Sequence, residues 1–237
     1  MVLAAGYGLR LRPLTDHTPK ALAPVAGRPM IEYAFDRLRA AGVREVVVNV
    51  SHLKEKLKAY LSTCNVMVIR LSEEAEPLET GGGLKQALPL LGDEAFYTVN
   101  SDILWLDDQE TALDRLARRW NDATMDILLL AQTRARTVGY DKGEDHLFVR
   151  ADNTFDWKET EAPYIMAGVG IMHPRILRDA PAGKFSVKLL WQRALAQGRL
   201  FCVPHQGAWF QTGTEPDIRK TEAILAAQPQ STQGVSP

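Results

Sequence analysis

The sequence predicts an α/β fold, a doubly wound and mainly parallel sheet with a small inserted sheet region. Three observations predict it. Short apolar runs bounded by polar residues alternate with helical stripes along most of the chain. The first of these runs feeds directly into a loop dense in glycine, proline and cations, and strand ends of this kind are where α/β folds hold ligands. No internal repeat, low-complexity tract or hexapeptide β-helix period offers a competing architecture.

Met1 to Ala4 reads as a short strand. It is shorter than the usual five or six residues, which leads us to expect a few further residues ahead of Met1 in the natural protein. Ile31, Phe35 and Leu38, with Ala34 and Ala41, recur at helical spacing, and Gly42 supplies a C-terminal stop. Glu45 to Val50, centred on Val46, Val47 and Val48, has the continuous apolar character of a strand buried on both faces. A helix over Leu53 to Leu61 and a strand over Val66 to Arg70 follow. Ser72 to Glu79 reads as an acidic loop, which Thr80 to Gly83 ends before a helical stretch from Leu84 to Leu91. Phe96 to Val99 is the next strand and delivers Asn100, Ser101 and Asp102 at its C-terminal end. A helix over Asp108 to Trp120, with an acidic start, leads to a buried strand over Met125 to Ala131. Thr133 to Ala162 is polar and lacks a helical stripe, so we expect an inserted sheet or lid there, with His146 to Arg150 as a hairpin strand. Tyr164 to Met172 as a strand, Val187 to Gln197 as a helix, Leu200 to Pro204 as a strand and Glu215 to Ala227 as a helix complete one domain over residues 1–227. Residues 228–237 are polar and proline-bearing, the pattern of a frayed tail.

Composition narrows the function. Lys and Arg total 28 against 29 Asp and Glu, so the totals give no basic footprint for nucleic acid or an anionic membrane. No apolar stretch approaches the ~18 residues of a membrane span, and no signal peptide is recognisable, so we expect a soluble cytoplasmic protein. Cys64 and Cys202 are far apart and match no metal spacing, which predicts two buried, reduced thiols. His17, His52, His146, His173 and His205 form no metal spacing either, and read as structural or surface residues.

The positive charge is instead placed locally. Gly6, Gly8, Arg10, Arg12 and Lys20 share the loop after the first strand. Glycines let backbone N–H groups approach phosphate oxygens, and fixed cations offset charge that would repel an incoming anionic nucleophile. Two familiar phosphate loops fail. A G-x-G-x-x-G fingerprint needs a third glycine where Leu11 stands, and a Walker A loop needs Gly-Lys-Ser/Thr where the chain has Pro19-Lys20-Ala21. A merely solvated basic loop is the plainer alternative, and three cations in this order argue against it.

The segment LAAGYGLRLRPLTDHTPKALAPVAGRPMIEY, Leu3 to Tyr33, resembles the signature of the sugar-1-phosphate nucleotidyltransferases. Glu79 to Leu88 (ETGGGLKQAL), Asn100 to Asp102 (NSD), Gly139-Tyr140, Ala167 to Ile171 (AGVGI) and Trp209 to Thr214 (WFQTGT) follow in that family's order. The resemblance implies a Rossmann-like nucleotidyltransferase fold and a reaction in which a sugar 1-phosphate attacks the α-phosphorus of a nucleoside triphosphate. Both reactants are anions, so the site has to hold several negative charges together and in line.

Carried over residue by residue, the resemblance implies that Arg10 grips the departing phosphates and that Lys20 contacts the α-phosphate. Arg12 either assists the triphosphate or pairs with Asp16. Leu3, Ala4, Ala5 and Gly6 meet the nucleoside through backbone groups, and Gly8 shapes the turn beneath the phosphates. Glu79, Thr80, Gly81 and Gly82 form the base and sugar platform; a flexible turn before a helix is the plainer reading of those glycines. Asp102 holds Mg²⁺, for which a hard carboxylate plus phosphates and waters is suitable, although helix or turn capping would equally place an aspartate there. Gly139, Tyr140, Asn153 and Lys158 contact the acceptor sugar, with ordinary loop roles open for Tyr140 and Asn153.

One position departs from the family pattern. Gln211 stands where the family has a second metal-binding aspartate, and an amide oxygen supplies no charge to Mg²⁺. The short chain, the LETGGG segment and the missing β-helix are most similar to family members that transfer uridylyl from UTP to N-acetylmuramate 1-phosphate in cell-wall recycling. Guanylyl transfer to mannose 1-phosphate stands next, and a nucleotide- or sugar-phosphate-binding regulator without turnover is the alternative that Gln211 motivates. A monomer and a dimer both remain open.

Overall fold

A computed structural model describes residues 1–140, 146–152, 154–158 and 162–227. The strands are β1 (Val2–Leu3), β2 (Pro24–Val25), β3 (Arg28–Pro29), β4 (Glu45–Val50), β5 (Val68–Glu73), β6 (Phe96–Asn100), β7 (Ile103–Trp105), β8 (Ile127–Thr133), β9 (Thr137–Val138), β10 (His146–Val149), β11 (Phe155–Lys158), β12 (Tyr164–Met172), β13 (Leu200–His205) and β14 (Trp209–Gln211). The helices are α1 (Met30–Ala40), α2 (Lys54–Leu61), α3 (Glu79–Leu91), α4 (Ala112–Arg119), α5 (Lys188–Ala196) and α6 (Glu215–Ala227).

The α/β expectation holds, and the sheet itself is mixed. Among the described residues nine strands form it, with β11-β10-β12-β6-β1-β4-β5 as the main path, β8 branching from β12 and β13 pairing with β8. Pairings β6-β1, β1-β4, β4-β5 and β8-β13 are parallel, whereas β12 runs antiparallel to β6, β8 and β10. Strand β12, reversed relative to β6 and β8, therefore joins the two parallel groups. Successive side chains of a strand point to opposite faces, and β4 shows the result: Val46, Val48 and Val50 enter one core with Phe35, Leu57 and Leu116, while Val47 enters another with Leu84 and Leu190. Helices α1, α2 and α4 thus cover one face, and α3 and α5 the other. A third cluster, with Leu11, Met30, Leu104, Phe210 and Ile218, packs beneath the glycine-rich loop.

The structure revises several sequence expectations. The three glycines do not end a loop: they lie in the first turns of α3, which begins at Glu79 rather than at Leu84. Close packing explains the exception to helix propensity. A Cβ on Gly81 would fall 2.6 Å from Phe185 Cδ2, one on Gly82 2.8 Å from the Leu78 Cβ, and one on Gly83 2.6 Å from Glu74 Oε1. Helix α4 starts at Ala112 rather than Asp108, because the Thr111 hydroxyl accepts from the Asp114 N–H at 3.1 Å and caps it there. In the inserted region, the described strands β10 and β11 pair antiparallel and extend the main sheet through β12, while β9 pairs with β14 in a short sheet of its own. Cys202 is buried, but Cys64 is only half-buried. The expected tail, residues 228–237, lies outside the described residues.

Candidate active site

The loop after β1 is shaped by its glycine and threonine. Gly8 has φ +66°, a left-handed conformation that favours glycine, and a Cβ there would fall 2.9 Å from Thr15 Cγ2 and 3.0 Å from the Cβ of Lys20. The Thr15 hydroxyl donates to the Gly8 carbonyl at 2.9 Å, while the Thr15 carbonyl lies 3.2 Å from His52 Nε2. Gly8 therefore sets the path of the Lys20 stem. Arg12 pairs with Asp16 at 3.0 Å, which realises the second of its two expected roles.

Lys20 Nζ forms a hydrogen-bonded ion pair with Asp102, and the two side chains are only 16% and 18% exposed. Burial pushes the Asp102 carboxyl up, but the charge and hydrogen bond of Lys20, aided by the charge of Arg10, outweigh it and hold the group below its usual range. The carboxylate is thus kept ionised on the pocket floor. Its backbone is fixed from the other side, because the Thr212 N–H and hydroxyl both donate to the Asp102 carbonyl, at 3.1 and 2.9 Å. The Arg10 guanidinium lies over Gly213, where a Cβ would meet Nη2 at 2.7 Å. Arg10, Lys20 and Asp102 therefore converge on one place although 82 residues separate the last two.

Two cavities adjoin. One, of about 210 Å³, is lined by Leu3, Ala4, Ala5, Gly6, Lys20, Glu79, Thr80 and Asp102, together with Asn49, Glu74 and Asn100. The other, of about 260 Å³, has an apolar and aromatic wall that includes Leu84, Met166, Tyr140, Trp191 and Trp209, with Ser186 and Lys188 adding polar groups. Leu3, Thr80 and Asn100 line both, so the cavities meet along one edge.

Not every expected residue lines these cavities. Gly81 and Gly82 turn toward the segment 183–185, and the Gly82 N–H donates to the Phe185 carbonyl at 3.1 Å. Gly139 packs against the Gln211 carbonyl and lies where a Cβ would be 3.0 Å from Asp217 Cγ, so close approach rather than a cavity accounts for it. Tyr140 lines the larger cavity with its ring edge-on to Trp209, centroids 6.2 Å apart. Gln211 lines that cavity too, at the end of β14 opposite Ile103. Asn153 lies outside the described residues, and of Lys158 only the backbone, in β11, is described. Sequence reasoning misses Asn49, Glu74 and the segment 183–188. The run Ser72-Glu73-Glu74 reads only as an acidic loop, and nothing local to it signals burial.

Among the described residues no group of three or more His, Cys, Asp or Glu could hold a metal ion. The donors at hand are one ionised carboxylate, Asp102, and an amide, Gln211. That set suits an ion such as Mg²⁺, which takes few protein ligands and draws the remainder from phosphates and water.

The nucleotidyl transferase family model matches residues 1–228. The N-acetylmuramate alpha-1-phosphate uridylyltransferase of Caulobacter vibrioides is 37% identical over 233 residues, 95% of this chain and 96% of that protein. The mannose-1-phosphate guanylyltransferase catalytic subunit beta of Danio rerio is 30% identical, over 92% of this chain and 62% of that one. A solved UDP-glucose pyrophosphorylase in complex with UDP-glucose shares the fold, with a TM-score of 0.78 over 95% of this chain and 97% of that chain, at 15% identity. No helix among the described residues is long and apolar enough to cross a membrane. The chain belongs to the nucleotidyl transferase family and is an enzyme of the sugar-1-phosphate nucleotidyltransferase type.

Proposed function

We propose that the protein transfers uridylyl from UTP to N-acetylmuramate 1-phosphate, releasing pyrophosphate. The observation that carries this reading is the 37% identity to the Caulobacter vibrioides uridylyltransferase along nearly the whole of both chains. The two adjoining cavities accord with it. The smaller, floored by Lys20 and Asp102, takes the nucleotide, and the larger, with its apolar and aromatic wall, takes the sugar. Their common edge at Leu3, Thr80 and Asn100 brings the sugar phosphate against the α-phosphate, and holding two anions in this way is the main contribution a protein makes to phosphoryl chemistry.

Arg10, fixed over Gly213, holds the departing phosphates, and Lys20 offsets charge that develops at the α-phosphate. Lys20 donates to one Asp102 oxygen, and both residues line the smaller cavity. Asp102 would be the carboxylate that holds Mg²⁺, with Gln211 as a neutral neighbour. When bound, the ion supplies positive charge to the phosphates.

Guanylyl transfer to mannose 1-phosphate is the second reading, favoured by the similarity to the Danio rerio enzyme. Pyrophosphate release over a matrix of nucleoside triphosphates and sugar 1-phosphates, with Mg²⁺, separates the two. Turnover only with UTP and N-acetylmuramate 1-phosphate is expected. Preferred turnover of GTP with mannose 1-phosphate overturns the uridylyl assignment.

A further inference from the structure

The nucleotide cavity has two walls from distant parts of the chain, and a buried polar chain connects them. One wall is the backbone that leaves β1 at Ala4; the other is the start of α3, where Leu78 is the N-terminal capping residue. The Ala4 N–H donates to Asn49 Oδ1 at 2.7 Å, Asn49 Nδ2 donates to Glu74 Oε1 at 2.7 Å, and the Leu78 N–H donates to Glu74 Oε2 at 2.8 Å. Asn49 is 3% exposed and Glu74 1%. No ion pair reaches Glu74 among the described residues, so its burial is offset by these hydrogen bonds.

The donors dictate the chemistry of the chain. A backbone N–H stands at each end and can only donate. The Ala4 N–H forces the oxygen of Asn49 toward β1, which turns the Asn49 NH₂ toward residue 74. Residue 74 must then accept from both sides, and an ionised carboxylate does that with one oxygen for each donor. A glutamine in its place always leaves one donor facing another. The third glycine of α3 makes room for this arrangement, because a Cβ on Gly83 would fall 2.6 Å from Glu74 Oε1 and 2.8 Å from Asn49 Nδ2.

We propose that Asn49 and Glu74 act as a clamp that fixes the spacing of the two nucleotide-binding walls, with Glu74 as a positioning residue that works through Ala4 and Leu78. The inference rests on the nucleotide occupying the cavity between these walls. It does not depend on which base or sugar the enzyme uses.

The donor pattern permits one other solution, the double exchange Asn49→Asp with Glu74→Gln. The carboxylate now at position 49 accepts from Ala4 and from the amide NH₂ at position 74, while the amide oxygen at position 74 accepts from Leu78, at the same net charge. Glu74→Gln alone places two amide NH₂ groups face to face, and Asn49→Asp alone places two carboxylates face to face. The experiment measures the dissociation constant and KM of the nucleoside triphosphate, the KM of the sugar phosphate, and the melting temperature for both single variants and the double variant. Each single variant is expected to weaken nucleotide binding tenfold or more with a smaller change in the sugar-phosphate KM, and the double to return within about threefold of wild type. Singles that do not fold, beside a folded and nucleotide-binding double variant, support the clamp equally. Binding by Glu74→Gln within twofold of wild type overturns it, as does a double variant no better than the worse single or one that does not fold. Equal weakening for both substrates also overturns it, since that marks a general loss of packing. Direct binding keeps the test separate from the assigned substrates: wild-type protein that binds triphosphate but turns over no uridylyl pair contradicts the proposed function and leaves the clamp measurable.

Discussion

Removing Lys20 leaves the Asp102 carboxylate without its cation at a position where its side chain is only 18% exposed. Breaking a fully buried pair costs about 3–5 kcal/mol, and the residual exposure of both partners reduces that to about 1–3 kcal/mol. Lys20→Ala and Asp102→Ala are each expected to lower turnover at least a hundredfold and also to lower the melting temperature by several degrees. The double variant should be destabilised by less than the sum of the two, because the pair is lost only once. Differential scanning calorimetry beside steady-state kinetics measures both. The ion pair, which joins residues far apart in the chain and is invisible in the sequence, is what ties both residues to the melt. The carboxyl of Asp102 titrates below its ordinary value of 3.8, so its contribution to stability is present above that pH and is lost as the pH falls through the lowered value. Acid melts below pH 4 should therefore fall more steeply for wild type than for Asp102→Asn. Gln211 offers a change in the opposite direction. Gln211→Asp adds a charged oxygen donor, and a lower Mg²⁺ concentration at half-maximal turnover is expected in a metal titration.

Helix α3 shows how packing overrides propensity. Three consecutive glycines cost a helix about 3 kcal/mol relative to alanine, and the sequence accordingly reads as a loop up to Leu84. Each glycine instead admits a different neighbour: the Phe185 ring at Gly81, the Gly183 carbonyl at Gly82 and the Glu74 carboxylate at Gly83. The segment that packs on Gly81 continues into Ser186, Val187 and Lys188, which line the larger cavity. Gly81→Ala improves helix propensity yet inserts a methyl group against Phe185. Overpacking of this kind costs about 1–3 kcal/mol, so the melting temperature is expected to fall by roughly 2–10 °C while the sugar-phosphate KM rises more than that of the triphosphate. Phe185→Ala in the same chain should recover part of the melt, since it removes the ring atoms that the new methyl meets and leaves only the residue 185 carbonyl, 2.8 Å away. An unchanged or higher melting temperature for Gly81→Ala would contradict this account of α3.

In the proposed function both substrates occupy the two adjoining cavities, and ligand binding there would link to global stability. A triphosphate at a hundred times its dissociation constant adds about 2.7 kcal/mol, which corresponds to a rise of roughly 5–10 °C in melting temperature for a chain of this size. The rise is expected with UTP in the presence of Mg²⁺, and thermal shift with each triphosphate in turn measures the preference. The amino-acid sequence by itself determined what depends on local order: the continuous apolar run of β4, the helical stripe of α1, and the Leu3 to Tyr33 motif that resembles the family. Tertiary structure alone decided the rest. The reversed strand β12, the short sheet β7-β14-β9, the pairing of Lys20 with Asp102 and the burial of Glu74 against Asn49 join residues far apart in the chain. Such contacts depend on which surfaces meet once the apolar faces are buried, and a periodic pattern read along one segment carries no record of its partner in another.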